Sequence, residues 1–226
     1  MKIAAIIPAR KGSKRIPNKN QYKIEGELGI QKVLNNLGNT KYVNDVFLST
    51  DDEYLIENTK NRIFLDREEN FNDDFSSVIE LVKYHQETQL FEYDMILLAY
   101  SHSINISHKI YEKAITSFKN DKSNRLITIA QIPTPIEWLY KINNKNKIKP
   151  IYPNGELIRS QDATKGFYNM GQFYIFKKEW FKKLNLQDSY YFELESLQGV
   201  DVDYPEDLER LETIYKINKS IYPELF

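Results

Sequence analysis

The residues best suited to chemistry lie in a loop directly after the first apolar run of the chain. That run covers residues 3–7, and residues 8–20 behind it hold five cations, one glycine and several amide or hydroxyl donors. A polyphosphate needs dense positive charge and backbone N–H groups that approach closely, which glycine allows. The loop therefore predicts phosphate binding. Its place after a strand favours this over the alternatives, a solvated basic loop or a nucleic-acid patch.

A pair of carboxylates near the end of the chain suits a divalent cation. Asp201 and Asp203 flank Val202, and the period of two in a strand places both carboxylates on one face. Such a cation prefers oxygen ligands, and phosphate groups and water would complete its shell. The alternative is a pair of ordinary surface acids, since this spacing is common.

A third polar group consists of Arg159, Gln161 and Asp162. It is followed by residues 168–174, in which a glycine leads into an aromatic segment. On residue types alone this region predicts a loop and then a strand. Arg159 could equally be the structural partner of an acid.

The elements that would position these groups alternate along the chain. Apolar runs rich in β-branched residues predict buried strands at residues 3–7, 46–49, 95–99 and 125–130, and a last strand at residues 200–203. Helical spacing predicts helices over 30–37, 53–60, 77–85 and 110–118. Ser77 and Glu80 form a capping-box pattern at the start of the third, and Pro205 starts a final helix. This alternation predicts an α/β fold with a mostly parallel sheet flanked by helices, whose ligands bind at the carboxyl ends of the strands.

The alternation breaks between residues 131 and 160. Pro133, Pro135 and a polar turn at residues 143–146 predict a hairpin or arm that leaves the main sheet. We expect this arm to carry a dimer contact. The 226 residues otherwise predict one domain, residues 1–226, with a single core.

Composition narrows the choice of partners. The 31 basic and 32 acidic residues create no global field for nucleic acid or an anionic membrane, so the partner is expected to be small. The absence of cysteine excludes disulfides, thiolate metal sites and cysteine nucleophiles. The first apolar run is too short for a signal-peptide core or a membrane span, which predicts a cytoplasmic protein.

The first loop also carries a resemblance to a known family. The stretches Ile7-Pro8-Ala9-Arg10 and Ile16-Pro17-Asn18-Lys19-Asn20 are similar to the N-terminal signature of the cytidylyltransferases that make CMP-activated acidic sugars. The segment from Val200 to Asp207 resembles the family's late metal-binding motif. The resemblance implies a Rossmann-like nucleotidyltransferase sheet, CTP and an acidic nine-carbon sugar as substrates, Mg²⁺ as cofactor, and a homodimer that supplies bacterial surface glycans.

The resemblance also implies a role for individual residues. Lys19, Arg10 and Asp203 would be catalytic, and Asp201 and Asp203 would hold the metal. Arg159, Gln161, Asp162 and Gln172 would contact the sugar, because a carboxylate needs guanidinium or amide donors. The nucleotide would be bound by Ala9, Arg10, Gly12, Ser13, Lys14, Lys19, Asn20, Ser76 and Ser101. The Gly-Gln-Phe-Tyr version at residues 171–174, with Pro135-Ile136, is closer to the pseudaminic acid branch than to the sialic acid branch.

The chain departs from the family pattern in the loop after residues 95–99. The family shows a Thr-x-Pro segment followed by arginine, whereas this chain has Tyr100-Ser101-His102-Ser103-Ile104-Asn105. His102 or Asn105 could supply donors instead. The expected reaction is transfer of CMP from CTP to pseudaminic acid or a related nonulosonic acid, with release of pyrophosphate. The alternatives are another acidic sugar (sialic, legionaminic or keto-deoxy-octulosonic acid), a degenerate nucleotide binder without turnover, and a nucleic-acid module.

Overall fold

The computed structural model describes residues 1–67, 71, 77–187 and 189–223. The strands are β1 (Ile3–Pro8), β2 (Lys23–Ile24), β3 (Glu27–Leu28), β4 (Asp45–Ser49), β5 (Ile63–Leu65), β6 (Met95–Ala99), β7 (Arg125–Gln131), β8 (Tyr140–Ile142), β9 (Ile148–Pro150), β10 (Phe167–Lys177) and β11 (Tyr190–Glu193). The helices are α1 (Gly29–Gly38), α2 (Glu53–Asn58), α3 (Val78–Glu87), α4 (His108–Phe118), α5 (Trp180–Lys183) and α6 (Pro205–Ile221).

Within the described residues, seven strands form one sheet in the order β11-β7-β10-β6-β1-β4-β5. Neighbours pair in parallel except β10, which runs antiparallel to both β6 and β7. The sheet is therefore mostly parallel and flanked by helices, which confirms the predicted fold class. The same alternation of strands and helices that predicted the sheet also predicted most of its members.

The core has two layers because both faces of the sheet are covered, as in parallel sheets generally. Strand β1 shows this in its sequence: Ile3, Ala5 and Ile7 pack on the layer with α1 and α4, whereas Ala4 and Ile6 pack on the layer with α3 and α5. A continuous apolar run is required where neither face meets water. The strand thus crosses the centre of the domain and delivers the loop after Pro8 to one edge of the sheet.

The predicted capping box at the start of α3 is present. The Ser77 side chain accepts from the Glu80 backbone N–H, and the Glu80 carboxylate accepts from the Ser77 N–H. This pairing satisfies two backbone donors that a helix start otherwise leaves open. Helix α3 ends at Glu87, two residues beyond the predicted end at residue 85.

Residues 200–203 are not a strand, so that prediction was wrong. Their carbonyl groups bond to side chains instead of a neighbouring strand: Gln172 Nε2 donates to Val200 O at 3.3 Å, and Lys19 Nζ donates to Val202 O. The expected alternation nevertheless holds, because Val202 is buried while Asp201 and Asp203 face outward. The last strand of the sheet is β11.

The predicted hairpin is present in the segment from 131 to 160. Strands β8 and β9 pair antiparallel around the turn at residues 143–146, apart from the main sheet. Gly155 packs this arm against its own base, since a Cβ there would lie 2.0 Å from the Glu137 carbonyl oxygen. Among the described residues no helix is both long and apolar enough to cross a membrane.

Candidate active site

A cationic cavity of about 470 Å³ lies where β1 and β6 end. Both strands run in the same direction, so their carboxyl ends meet at one edge of the sheet. This is the edge at which open α/β sheets bind ligands. The side chains and backbone that line the cavity come from Pro8, Arg10, Ser13, Lys14, Arg15, Lys19, Asn20, Arg67, Val78, Tyr100, Ser101 and His102.

The basic loop is held in place by side chains from neighbouring elements. Asn20 Nδ2 donates to the Arg10 carbonyl oxygen at 3.0 Å, which ties the two ends of the loop together. The Lys11 N–H donates to Asp51 Oδ1 at 2.6 Å, just beyond the end of β4. Gly12 has φ 78°, a left-handed conformation that favours glycine. The loop is therefore preorganised before any ligand arrives.

A second loop, residues 100–107, forms the opposite wall. Ser101 Oγ donates to Asn20 Oδ1 at 2.6 Å, and the Ser101 carbonyl oxygen accepts from Tyr22 Oη at 3.2 Å. Ser103 Oγ donates to the Gln172 carbonyl oxygen at 2.5 Å. These serines are buried, so the loop that departs from the family pattern is packed into the domain.

A smaller cavity of about 290 Å³ adjoins the first. Lys19, Tyr100 and His102 line both cavities and stand between them. The rest of the smaller cavity is lined by Asn169, Gly171, Tyr174, Asp201 and Asp203. One cavity thus carries cations and its neighbour carries carboxylates.

Lys19 is the residue at this boundary. Its ammonium donates to the Val202 carbonyl oxygen, between the two aspartates. Burial lowers the pKa of Lys19, while the charges of Asp203 and Asp201 oppose that shift. The ammonium is stabilised by the carboxylates and would gain further from a phosphate placed in the larger cavity.

Asp201 and Asp203 have the chemistry of a cation site. Partial desolvation and then the charge of Asp203 raise the pKa of Asp201, while the charge of Lys19 lowers it. Arg15 Nη2 lies 2.7 Å from Asp203 Oδ1 and offsets part of the negative charge of the pair. The two side chains are 69% and 40% exposed, which leaves their oxygens open to a ligand. Two carboxylates fit Mg²⁺, which takes its other oxygens from phosphate and water.

His102 is a neutral, buried histidine at the same boundary. Burial lowers its pKa to about 3, with the charge of Lys19 adding to the shift. Nε2 lies 3.3 Å from the Gly171 carbonyl oxygen, which only accepts, so Nε2 carries the proton. Nδ1 is then an acceptor, and it has no partner in the part of the chain that the structure describes. The ring stacks on Tyr100 with centroids 5.4 Å apart.

The structure brings most of the predicted nucleotide residues together. Six of them line the larger cavity, namely Arg10, Ser13, Lys14, Lys19, Asn20 and Ser101. Ala9 is buried behind it, where its N–H donates to the Ser49 carbonyl oxygen at 2.9 Å, and Gly12 shapes the loop. Ser76 lies outside the described residues.

The predicted sugar residues are not in either cavity. Arg159 is exposed at the end of the arm, and Gln161 and Asp162 are exposed directly after it. Gln172 is fully buried, and its amide nitrogen donates to the carbonyl oxygens of Met170 and Val200. Gln172 therefore supports the segment that carries Asp201 and Asp203, instead of facing a ligand.

The lining residues that were not predicted from the sequence include Arg67, Asn169 and Tyr174. Arg67 lies two residues after β5, and both Nε and Nη2 donate to the Phe71 carbonyl oxygen, at 3.1 and 2.5 Å. Its position at the carboxyl end of a parallel strand was the available signal. Asn169 and Tyr174 are joined by a 2.7 Å hydrogen bond across a bulge in β10. Gly171, which has φ 63° within the bulge, was the available signal, because a glycine inside a strand often marks a bulge.

The fold and the site together define a nucleotide-binding enzyme of the α/β class. They combine a mostly parallel sheet, a preorganised cationic loop at its carboxyl edge and an adjoining pair of carboxylates. The chain matches the cytidylyltransferase family over residues 4–222. It belongs to that family and is a CTP-dependent nucleotidyltransferase, which confirms the family predicted from the first loop.

Similar proteins with known names cover nearly the whole chain. The pseudaminic acid cytidylyltransferases of two Campylobacter jejuni strains are 30% identical to it, over 96% of this chain and 98% of theirs. The 3-deoxy-manno-octulosonate cytidylyltransferase of Flavobacterium johnsoniae is 23% identical, over 93% and 97%.

Solved structures share the fold. A CMP:2-keto-3-deoxy-manno-octonic acid synthetase complexed with CTP has a TM-score of 0.73 at 18% identity and covers 96% of this chain and 99% of its own. The 4-diphosphocytidyl-2C-methyl-D-erythritol synthase of Anaerococcus prevotii has a TM-score of 0.63 at 14% identity and covers 95% and 96%.

Proposed function

We propose that this enzyme transfers CMP from CTP to the anomeric hydroxyl of pseudaminic acid or a related nonulosonic acid and releases pyrophosphate. The observation that carries the proposal is the position of Lys19, which lines both the cationic cavity and the carboxylate cavity. The larger cavity suits the triphosphate and the smaller one the acceptor sugar. Relatives that cover almost the whole chain act, by their names, on pseudaminic acid.

The reaction follows from this arrangement. The anomeric oxygen attacks the α-phosphorus, a new P–O bond forms, and the bond to pyrophosphate breaks with its electron pair going to the leaving oxygen. Arg10, Lys14 and Lys19 stabilise the negative charge on the phosphate oxygens, so positioning and electrostatics provide most of the catalysis. One of the two acids, Asp201 or Asp203, takes the hydroxyl proton, since both line the cavity proposed for the sugar.

Asp201 and Asp203 would hold Mg²⁺, which neutralises phosphate charge when bound. The proposed sugar ligands Arg159, Gln161 and Asp162 lie at the end of the arm or directly after it, outside both cavities. Their contribution requires the arm to reach a cavity, either its own or that of a second copy. Exposed apolar side chains on the arm support a homodimer. Because CTP is made and used in the cytoplasm, we assign the reaction to that compartment.

A second acceptor has specific support. Similarity to a 3-deoxy-manno-octulosonate cytidylyltransferase makes an eight-carbon acid sugar the alternative substrate. The acceptor cavity of about 290 Å³ is small and polar, so hydrogen-bond donors and acceptors, more than size, would separate the two sugars.

The experiment measures pyrophosphate release from CTP and Mg²⁺ with pseudaminic, legionaminic, sialic and keto-deoxy-octulosonic acids in separate reactions. We expect release with pseudaminic acid, and a loss of at least about 100-fold in kcat for Asp203→Asn because a ligand of the catalytic charge centre is removed. Asp94→Asn, at the opposite edge of the sheet, is the matched control and should keep wild-type activity. Release with another sugar alone would reassign the acceptor, and CTP binding without release from any sugar would support a degenerate binder.

A further inference from the structure

A third cavity, of about 260 Å³, shares no described lining residue with the two cavities of the active site. Its walls come from the start of α4, from the 3-10 turn at residues 196–198 and from the end of α6. These elements flank the active site, because loop 100–107 leads into α4 and residues 196–198 lead to Asp201.

The start of α4 has uncompensated positive charge. Its first turn contains no acidic residue, and the N-cap Ser107 makes no side-chain cap hydrogen bond. Lys109 and Lys113 stand exposed one turn apart on the cavity wall, and neither is in an ion pair with a described residue. Lys109 lies in the first turn, at the positive end of the helix dipole, where a lysine is unfavourable unless an anion accompanies it, and Lys113 adds a second positive charge one turn further on.

Two buried polar groups in the cavity wall have no hydrogen-bond partner among the described residues. Asn105 is 2% exposed and Ser107 is 1% exposed, and both line the cavity. Neither Asn105 Nδ2 nor Ser107 Oγ has a hydrogen-bond partner within the described ranges. Asn218 Nδ2 donates to Asn105 Oδ1 at 3.2 Å, which leaves the amide nitrogen as the open group. Buried polar groups are nearly always paired, so two unpaired donors beside two lysines indicate a missing acceptor.

The remaining walls limit the shape of the ligand. The carboxylate of Glu195 also lies here, and it accepts the Gln198 backbone N–H in a capping box, which engages one of its oxygens. Leu197, Ile221 and Tyr222 are each more than 40% exposed and give the cavity an apolar side. A volume near the lower end of ligand pockets, about 300 Å³, suits a small molecule.

We propose that this cavity binds a small organic phosphate, with the phosphate at Lys109, Lys113, Ser107 and Asn105 and an apolar body against Leu197 and Tyr222. An occupied cavity would fix loop 100–107 and the turn before Asp201 together, so the ligand would act on the conformation of both walls of the active site. Phosphate binding at this cavity does not depend on which acceptor sugar the enzyme uses, because it is measured without turnover.

The test is residue-resolved NMR on the full chain, titrated with phenyl phosphate, inorganic phosphate and acetate. The buffer contains about 0.15 M sodium chloride, at which exposed charges are screened beyond ~8 Å. We expect amide shifts at Ser107, Lys109 and Asn218 with phenyl phosphate. Inorganic phosphate should bind at least about fivefold more weakly, because it lacks the apolar ring. Acetate should bind more weakly still.

Two pairs of variants distinguish binding at this cavity from binding at the basic loop of residues 8–20. Lys109→Gln with Lys113→Gln should weaken phenyl phosphate binding about tenfold, whereas Lys182→Gln with Lys183→Gln, which removes the same charge from exposed α5, should not. Ser107→Ala should weaken binding and leave the melting temperature unchanged, since its hydroxyl makes no bond in the free protein. Shifts confined to Ser13 and Lys19, or equal loss in both lysine pairs, would overturn the proposal.

Discussion

Lys19 combines two properties that a catalytic cation needs. It is partly withdrawn from water, which strengthens its field, and it is anchored at the Val202 carbonyl between two carboxylates, which fixes its direction. Lys14 is on the same loop and lines only the larger cavity. At the residue scale, the two lysines should therefore differ in kinetic effect although they carry the same charge.

Lys19→Met should lower kcat by about 100- to 1,000-fold, the usual cost of losing a donor to transition-state charge. Lys14→Met should mainly raise KM for CTP, since a cation that contacts the triphosphate equally in both states contributes uniform binding. Steady-state kinetics of pyrophosphate release separate these outcomes, with exposed Lys23→Met as control. A kcat unchanged in Lys19→Met would place the catalytic charge elsewhere.

His102 should make stability depend on pH. Its folded-state pKa is about 3, below the value of about 6.5 expected in the unfolded chain. The unfolded state therefore binds more protons between these values, and stability present above pH 6.5 is lost as pH falls. The free energy of unfolding should drop by at most about 1.4 kcal/mol per pH unit in that window.

Urea unfolding of the metal-free protein between about pH 7 and pH 5 measures this drop. That range includes the pKa of histidine in the unfolded chain. His102→Gln should flatten the dependence. An identical slope in wild type and His102→Gln would assign the pH dependence to other groups.

Local sequence patterns predicted the elements well and the contacts between them less well. Strand β1, helices α1 and α4 and the Ser77 capping box follow from periodicity and cap chemistry. The segment of Asp201 and Asp203 has the right alternation but no strand partner, because Gln172 and Lys19 bond its carbonyl groups from about 30 and 180 residues away in sequence. The buried role of Gln172 depends on such long-range packing, which no spacing rule contains.

Gly155 should prove essential for the arm. An alanine Cβ there would lie 2.0 Å from the Glu137 backbone oxygen, and backbone cannot move aside as a flexible side chain can. Gly155→Ala should cost about 1–3 kcal/mol of unfolding free energy, the range for overpacking. Gly38→Ala is the matched control, because a Cβ at that position at the end of α1 meets nothing within 4 Å.

Chemical unfolding of both variants checks this difference. Gly38→Ala should be neutral or stabilising by up to about 1 kcal/mol, since alanine favours a helix over glycine. If Gly155→Ala were as stable as the wild type, the 3-10 turn at residues 155–157 would not be fixed against the base of the arm.

On the scale of the whole molecule, the active-site cavities and the exposed apolar side chains of the arm lie in different places. Both active-site cavities lie over the carboxyl edge of the sheet, whereas the arm carries Ile142, Ile148 and Leu157 with 75%, 66% and 79% of their surface exposed. Ile142 and Ile148 are directly paired across the hairpin. Exposed apolar surface of this kind supports the proposed homodimer interface. Arg159 lies on the same arm and Gln161 and Asp162 directly follow it, so dimerisation and sugar binding are expected to be linked.

In the proposed homodimer, Ile142→Glu with Ile148→Glu should convert the dimer to a monomer, because two facing carboxylates cannot be buried without partners. Phe91→Glu, which changes a side chain 59% exposed in the loop before β6, is the matched control and should remain dimeric. Sedimentation velocity measures the mass of each. If the arm of one copy supplies sugar ligands to the other, the monomeric variant should also show a raised KM for the sugar with KM for CTP unchanged. A wild-type chain that sediments as a monomer would contradict the interface, and a monomeric variant with unchanged KM for both substrates would separate the arm from the site.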